Sequence, residues 1–587
     1  MTPSAPNSCP SDDQDRWLSG GFYAAMILAC AIALSPNMVD PDLWGHVLYG
    51  EELLADGELP QTATHTFTAP DHRWVNHENL SEIALALGYR HLGPVGLMSA
   101  KCLLGLFVIW LMIRAAQRQC VGMFALCATL LLVAFNLTPF WSMRPQLLSF
   151  VCFAVLMALL EKAFARWSES GEAHLRWLLP VPVVMVVWTN SHGGFVAGLC
   201  VLGVYLAGRG IEALVKRGRA GWPMVGKLAA VGIVSALATL INPYGPGLHQ
   251  WMIGSLGQPR PEISEWSAPS LTDDFFLAFA LLVGLAIVGL AGSERRRDFT
   301  KYAVMAIVLW QAVTHLRHIA FFALLCGFWL PVHVESWLVK LRKVELKSPE
   351  GKPLAMQPVT SRWPARLLYV GLAFTFVLLI GKLSTRLGDL PVERSSYPVD
   401  AVAYMAEQDI SGKLVVSFNW AQYAIAALAP QVKVSFDGRF RTCYPQEVVD
   451  MNFDFILGRA GGKRYRSPDS GPLDPTQVLH YGEPDLVLVD RRFPHSVAVM
   501  QWQDQQREWV LLYQDGLAQL YGRREKYDLP ESPAYLPVAQ RRISDRMPEG
   551  SVTWPAIPTA GRAESIAGER ALRSPTLLRR STSREDS

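Results

Sequence analysis

Six short segments of this 587-residue chain concentrate side chains that can carry a proton or bind an anion. They are Asp40-Pro41-Asp42-Leu43-Trp44-Gly45-His46, Trp74-Val75-Asn76-His77-Glu78, Met143-Arg144-Pro145, Asn190-Ser191-His192-Gly193-Gly194, Asn242-Pro243-Tyr244-Gly245 and His315-Leu316-Arg317-His318. Carboxylates beside cations suit a reaction that takes a proton from an acceptor and expels an anionic leaving group. Each segment alone also has a plainer reading. Asp40-Pro41 fits a helix N-cap followed by a first helical position. Asp42 and His46 share a helix face at i and i+4. Asn76 fits a cap before a helical pattern through Ile83 and Leu87. Arg144 and Arg317 fit interface anchors, and Asn242-Pro243-Tyr244-Gly245 fits a turn. The chemical reading depends on a fold that brings the six together.

The elements that must do so are membrane helices. Half of the residues are hydrophobic and only 18% are charged, against about 25% in a soluble chain. A span needs about 20 mostly apolar residues. That length picks out about eleven stretches, near 17–36, 94–114, 120–140, 146–165, 175–190, 193–211, 224–241, 274–292, 301–316, 318–336 and 364–382. The first lacks a small-residue cleavage site and reads as a retained anchor. Alternate loops are basic: Arg114 and Arg118; Lys162, Arg166 and Arg176; Arg209 to Lys227; Arg295 to Lys301; Lys340 to Arg366. Basic loops stay in the cytoplasm, so residues 1–16 are expected inside and everything after about 383 outside. All six polar segments then fall on the outer side. Ionisable groups near a bilayer face a partner or a water-filled space, so one shared outer site is expected. The outer loop 37–93 is expected to carry two amphipathic helices in the interface plane.

Composition also excludes some functions. Lys and Arg number 54 against 51 Asp and Glu, a net charge of +3, and no basic stripe with interleaved aromatics is present, so no nucleic-acid partner is expected. The nine cysteines show no zinc spacing and no disulfide framework. Residues 395–525 change character: short β-rich runs (Lys413–Phe418, Val432–Asp437, Asp485–Asp490) alternate with helical patterns at 399–408, 420–428 and 445–455. Asp515-Gly516 between two further runs is a two-residue hairpin signal. This is a small α/β domain with a partly parallel sheet, expected outside the membrane. Residues 526–587 lack apolar periodicity and read as a disordered tail.

Asp40 to His46 with Gly50, Pro60 and Trp74 to Glu78 resembles a group of bacterial multispanning proteins similar to the GT-C superfamily of membrane glycosyltransferases. Met143-Arg144-Pro145-Gln146, the Asn190 and Asn242 segments, and Trp420 to Asp437-Gly438-Arg439 fit the same group. It departs where Gly45 stands for a commoner aromatic and Asn79 for Trp. The resemblance implies a polytopic α-helical membrane protein of the bacterial cytoplasmic (inner) membrane with a C-terminal extracytoplasmic α/β domain. It implies inverting transfer of a sugar from a polyprenyl-phosphate donor to an envelope acceptor (glycan, lipid or protein) on the outer face. Asp40 or Asp42 would act as the base. Arg144, Arg317 and His318 would stabilise the leaving phosphate, with His46, His77, Glu78, His192, Asn242 and Tyr244 binding substrate. The resemblance leaves a divalent metal, Mg or Mn, open, with Asp42, His46 and Glu78 as candidate ligands. A non-catalytic scaffold of the same fold, and on weaker ground a transporter, stay open beside it.

Overall fold

Long apolar runs in lipid must satisfy their own backbone groups, and helices do this within one segment. In the computed structural model, which describes residues 13–167, 171–345, 362–459 and 466–558, helices occupy each of the eleven apolar stretches. Among the described residues, six helical segments are long and apolar enough to cross a membrane; one of them, Phe195–Ala238, contains two helices joined by a short 3-10 turn. Four shorter apolar helices accompany them, Gly20–Ala33, Leu175–Thr189, Phe276–Gly292 and Phe299–Thr314. The segment Leu316–Arg342 is the most enclosed and forms the middle of the bundle, whereas Leu367–Gly388 keeps its apolar surface exposed, as a helix that lies against lipid does.

The chain divides into two compact units. The first holds the membrane helices. Its helices α1 (Asp13–Ala33), α2 (Leu43–Asp56), α3 (Asn79–Gln117), α4 (Met123–Leu137) and α5 (Gln146–Ala163) carry or precede most of the polar segments. Of the two expected amphipathic helices, α2 is separate and ends at Gly57, whose N–H bonds Leu53 O. The second is not separate: α3 runs on into the next span across a kink at Gly93-Pro94. Gly50 lets α2 lie directly on α3, since a Cβ there would stand 2.1 Å from the Glu82 carbonyl oxygen. At the other end of the helices Arg209, read above as an ordinary loop cation, is buried and bonds Asp298, Glu212 and Tyr205.

The second unit comprises Thr62–His72, Val392–Gly461 and Ser467–Ser587. Its six-stranded sheet has the order β3-β2-β4-β6-β5-β7, built from β2 (Gly412–Val416), β3 (Val432–Val434), β4 (Leu486–Asp490), β5 (Trp509–Gln514), β6 (Ala518–Arg523) and β7 (Arg542–Ile543). Strand β2 is parallel to both β3 and β4, and β6 is antiparallel to β4 and β5. Phe418, Phe436, Phe440 and Phe453 pack on one another as an aromatic cluster. The tip of the first long loop, Thr62–His72, joins this unit: Val434 N–H bonds His65 O, and Phe67 N–H bonds Val434 O. Arg439, held by the fully buried Asp437, donates to the Thr64 carbonyl at 2.5 Å.

Two expectations need correction here. The β5–β6 turn takes in Asp515, Gly516 and Leu517, because the Asp515 carboxylate accepts both the Leu517 and Ala518 N–H groups. Gly516 instead admits the backbone of Met547, which a Cβ would meet at 2.6 Å. The expected tail is ordered as far as it is described, to residue 558. Arg541 bonds Asp528 and Leu536 O, Arg542–Ile543 pairs with β5, Ser551–Thr553 pairs with β1 (Pro391–Glu393), and Trp554 is buried. Burial of scattered residues, not periodic runs, holds it. Residues 1–12, 346–361 and 559–587 of the expected segments lie outside the described residues.

Candidate functional site

Local chain chemistry sets each group. After α1, Asp40 accepts the Asp42 N–H at 3.0 Å, so it serves as a turn-forming acceptor just before α2 and not as the cap itself. One turn into α2, His46 Nδ1 lies 3.4 Å from Glu82 Oε1 on α3. Asn76 organises the entry to α3: its Oδ1 accepts the Glu78 N–H, its Nδ2 donates to Glu82 at 2.6 Å, and its own N–H donates to the Tyr244 hydroxyl at 2.8 Å. Asn79, in the position of the commoner Trp, is buried and donates to Asn76 O.

Arg144 sits between α4 and α5 at the centre of three carboxylates. Its Nε is 2.5 Å from Asp40, Nη2 is 3.1 Å from Asp42 and Nη1 is 3.3 Å from Glu265. The guanidinium pKa is pushed up by these three charges, against burial. Burial pushes the Asp42 carboxyl up to about 6; Asp40 and Glu78 add to this, while Arg144 and His46 oppose it. His46 is raised to about 9: burial works against this, but the Glu82 hydrogen bond and the charges of Glu78, Glu82 and Asp42 prevail. Asp42 is thus the group poised to exchange a proton near neutral pH.

Glu78 lies next to two imidazoles, with His77 Nε2 at 3.9 Å and His192 Nε2 at 3.8 Å from Oε1. Burial would raise its pKa, but His77, His46, His192 and Arg317 together hold it below the usual range. Burial, with the positive charges of Arg317, His77 and His46, lowers His192 to about 3 against the pull of Glu78. Arg317 packs over the Trp266 ring at 4.8 Å, with Arg260 at 4.4 Å from the same ring. Among the described residues no carboxylate lies within ion-pair distance of Arg317.

Asp40, Asp42 and Arg144 therefore meet in one cluster; His46, His77, Glu78 and His192 meet in a second; charge links the two through Asp42, His46 and Glu78. Arg317 acts on Glu78. Tyr244 supports Asn76. Asn242 is spent on its own turn, bonding Thr239 O, Gly245 O and Tyr244 N–H. His318 packs against Trp266, His315 and Phe321. Asp42, His46 and Glu78 do not converge as metal ligands: Asp42 turns to Arg144, His46 to Glu82 and Glu78 to the two imidazoles. Among the described residues no group of three His, Cys, Asp or Glu is placed to hold a metal ion. Sequence reasoning missed Glu82, Glu265, Ser149 and Trp266. Glu82 had a signal, because it stands four residues after Glu78 on one helix face; Ser149 and Trp266 had none.

No family model and no curated protein matches the sequence. Solved structures do. The archaeal oligosaccharyltransferase AglB from Archaeoglobus fulgidus, in complex with an inhibitory peptide and a dolichol-phosphate, superposes with a TM-score of 0.51 at 12% identity, over 82% of this chain and 70% of that one. The fold is GT-C. ArnT from Cupriavidus metallidurans bound to undecaprenyl phosphate gives 0.49 at 12% identity, over 89% of this chain and 99% of that one. Arabinofuranosyltransferase AftD from Mycobacteria gives 0.44 at 16% identity, over 88% and 40%. A GT-C fold with this many apolar helices makes the chain a multi-pass membrane protein. At 12% identity the likeness to AglB shows the fold alone and leaves activity to the site chemistry.

Proposed function

We propose that this chain is an inverting glycosyltransferase that moves a sugar from a polyprenyl phosphate to a hydroxyl of an envelope acceptor, at the external face of the bacterial inner membrane with the N-terminus inside. The observation that carries this reading is the Asp40–Arg144–Asp42 cluster beside Glu78, at the end of a GT-C bundle. Asp42 takes the acceptor proton as the acceptor oxygen bonds the anomeric carbon and the bond from that carbon to phosphate breaks. Charge develops on the ring as an oxocarbenium ion, as in glycoside hydrolysis. Asp40 holds Arg144, and Arg144 in turn holds Asp42 and limits the rise of its pKa. Three carboxylates already surround Arg144, so Arg317 on Trp266 is the better cation for the leaving phosphate. The alternation of basic loops supports the orientation. The test is purified full-length protein in nanodiscs, given a polyprenyl-phosphate hexose labelled in the sugar, together with envelope extract. Label should leave the lipid and appear in a linkage of opposite anomeric configuration. Retained configuration, or label that stays on every lipid offered, overturns the reading.

A further inference from the structure

The segment Asn190-Ser191-His192-Gly193-Gly194 is stitched to the start of α3 directly after Glu78. Leu80 N–H donates to Asn190 O at 2.9 Å, and Ser81 Oγ donates to Ser191 O at 2.7 Å. These bonds fix His192 and Glu78 in one register. Gly194 allows close approach, since a Cβ there would stand 2.5 Å from Ser149 Oγ, and one on Gly193 would press on Met252 Cε at 3.1 Å and His77 Nε2 at 3.2 Å. The motif is therefore shaped around Ser149, Met252 and His77.

Ser149 decides which ring nitrogen of His192 carries the proton. The buried Trp188 donates its Nε1–H to Ser149 Oγ at 2.7 Å, so the serine hydroxyl proton is free to point at His192 Nδ1, 2.8 Å away. The Gly194 N–H, which can only donate, aims at the same Nδ1 at 3.0 Å. With two donors on it, Nδ1 keeps its lone pair, and the ring proton resides on Nε2. Nε2 faces Glu78. At 3.8 and 3.9 Å the imidazoles stand beside the Glu78 carboxylate, beyond hydrogen-bond distance. His192 Nε2–H and Glu78 Oε1 therefore keep capacity to bond one and the same ligand hydroxyl, which would accept from the first and donate to the second. His77 is oriented by its Nδ1, which lies 3.4 Å from Val75 O, so its Nε2 turns to the same point.

We infer that Glu78, His192 and His77 form a subsite for a ring hydroxyl of the donor sugar, with Ser149 as the positioning residue that holds the His192 ring proton on Nε2. The inference rests on the proposed glycosyl transfer. The donor sugar is favoured over the acceptor because Arg317, assigned to the leaving phosphate, is close enough to act on Glu78, so the sugar on that phosphate is the nearest carrier of hydroxyls.

The test compares the affinity of the nanodisc-embedded full chain for a polyprenyl phosphate with that for the same lipid carrying a hexose. One hydroxyl bonded to an ionised carboxylate and a neutral donor should make the sugar-bearing lipid bind about tenfold tighter than the bare one. His192→Gln, which offers a neutral N–H, should keep most of that ratio. His192→Phe and His192→Arg should bring it close to one, and Ser149→Ala should lower it. A ratio unchanged in His192→Phe, or preserved in His192→Arg but lost in His192→Gln, overturns the subsite while leaving glycosyl transfer standing. So does a wild-type ratio of one. Wild-type protein that binds neither lipid overturns the proposed function itself.

Discussion

Replacing Asp42 by Asn separates a proton-accepting role from a structural one, because the two move stability in opposite directions. Burial raises the Asp42 carboxyl from 3.8 to about 6, with Asp40 adding to the shift and Arg144 opposing it. A carboxyl whose folded pKa lies above its unfolded value binds its proton more tightly when folded. Its contribution to stability is fully present below 3.8 and is lost as pH rises through about 6. At about 1.4 kcal/mol per tenfold, the displacement corresponds to about 3 kcal/mol of strain carried by ionised Asp42 at neutral pH. Asp42→Asn should therefore abolish sugar transfer while leaving stability unchanged or raised, by at most about 3 kcal/mol, since Arg144 keeps Asp40 and Glu265. In the wild type, kcat/KM should fall about tenfold between pH 7 and pH 5 as the base protonates. Arg144→Gln removes the charge that restrains Asp42, so its acid limb should move to higher pH. Stability should fall by about 3 kcal/mol, the lower end for a buried ion pair that loses one partner. The assay is initial rates across pH beside denaturant unfolding of the same preparations. Transfer that survives in Asp42→Asn, an acid limb that moves downward in Arg144→Gln, or a large loss of stability in Asp42→Asn would refute the reasoning.

Three further outcomes are expected. His46, raised to about 9, contributes stability fully present below 6.5 and lost as pH rises through about 9; Glu82→Gln should lower its pKa and bring that loss to lower pH, read from melting temperature against pH. Gly50→Ala should cost about 1–3 kcal/mol by thrusting a methyl at the Glu82 carbonyl, seen in thermal unfolding, and should lower transfer as His46 and Glu82 part. Asp437→Asn leaves the buried Arg439 without its counter-ion and should cost about 3–5 kcal/mol, detected as early protease cleavage in the second unit.

The elements were legible because their signals are local. Apolar length marked the helices, and Lys413–Phe418, Val432–Asp437 and Asp485–Asp490 marked three parallel strands within a few residues. The Asp515-Gly516 turn was misread because a two-residue turn and an Asp side-chain turn share the same dipeptide. The segment 526–558 was misread because single anchors such as Trp554 and Arg541 leave no periodic trace. At the site, titratable groups were visible as residue types, but their partners were not. Glu265 stands 121 residues from Arg144, and Ser149 stands 43 residues from His192. Neither spacing carries a period, so only packing could pair them. Arg144 is expected from the sequence to share in stabilising the leaving phosphate, whereas three carboxylates surround it.

The most direct measurement is the amount of polyprenyl phosphate that the full-length protein releases from a polyprenyl-phosphate sugar, beside Asp42→Asn of equal melting temperature. Steady release by the wild type and none above background by the variant is the expected result. Equal release by both, or none by the wild type with any sugar lipid, would contradict a catalytic site built on Asp42.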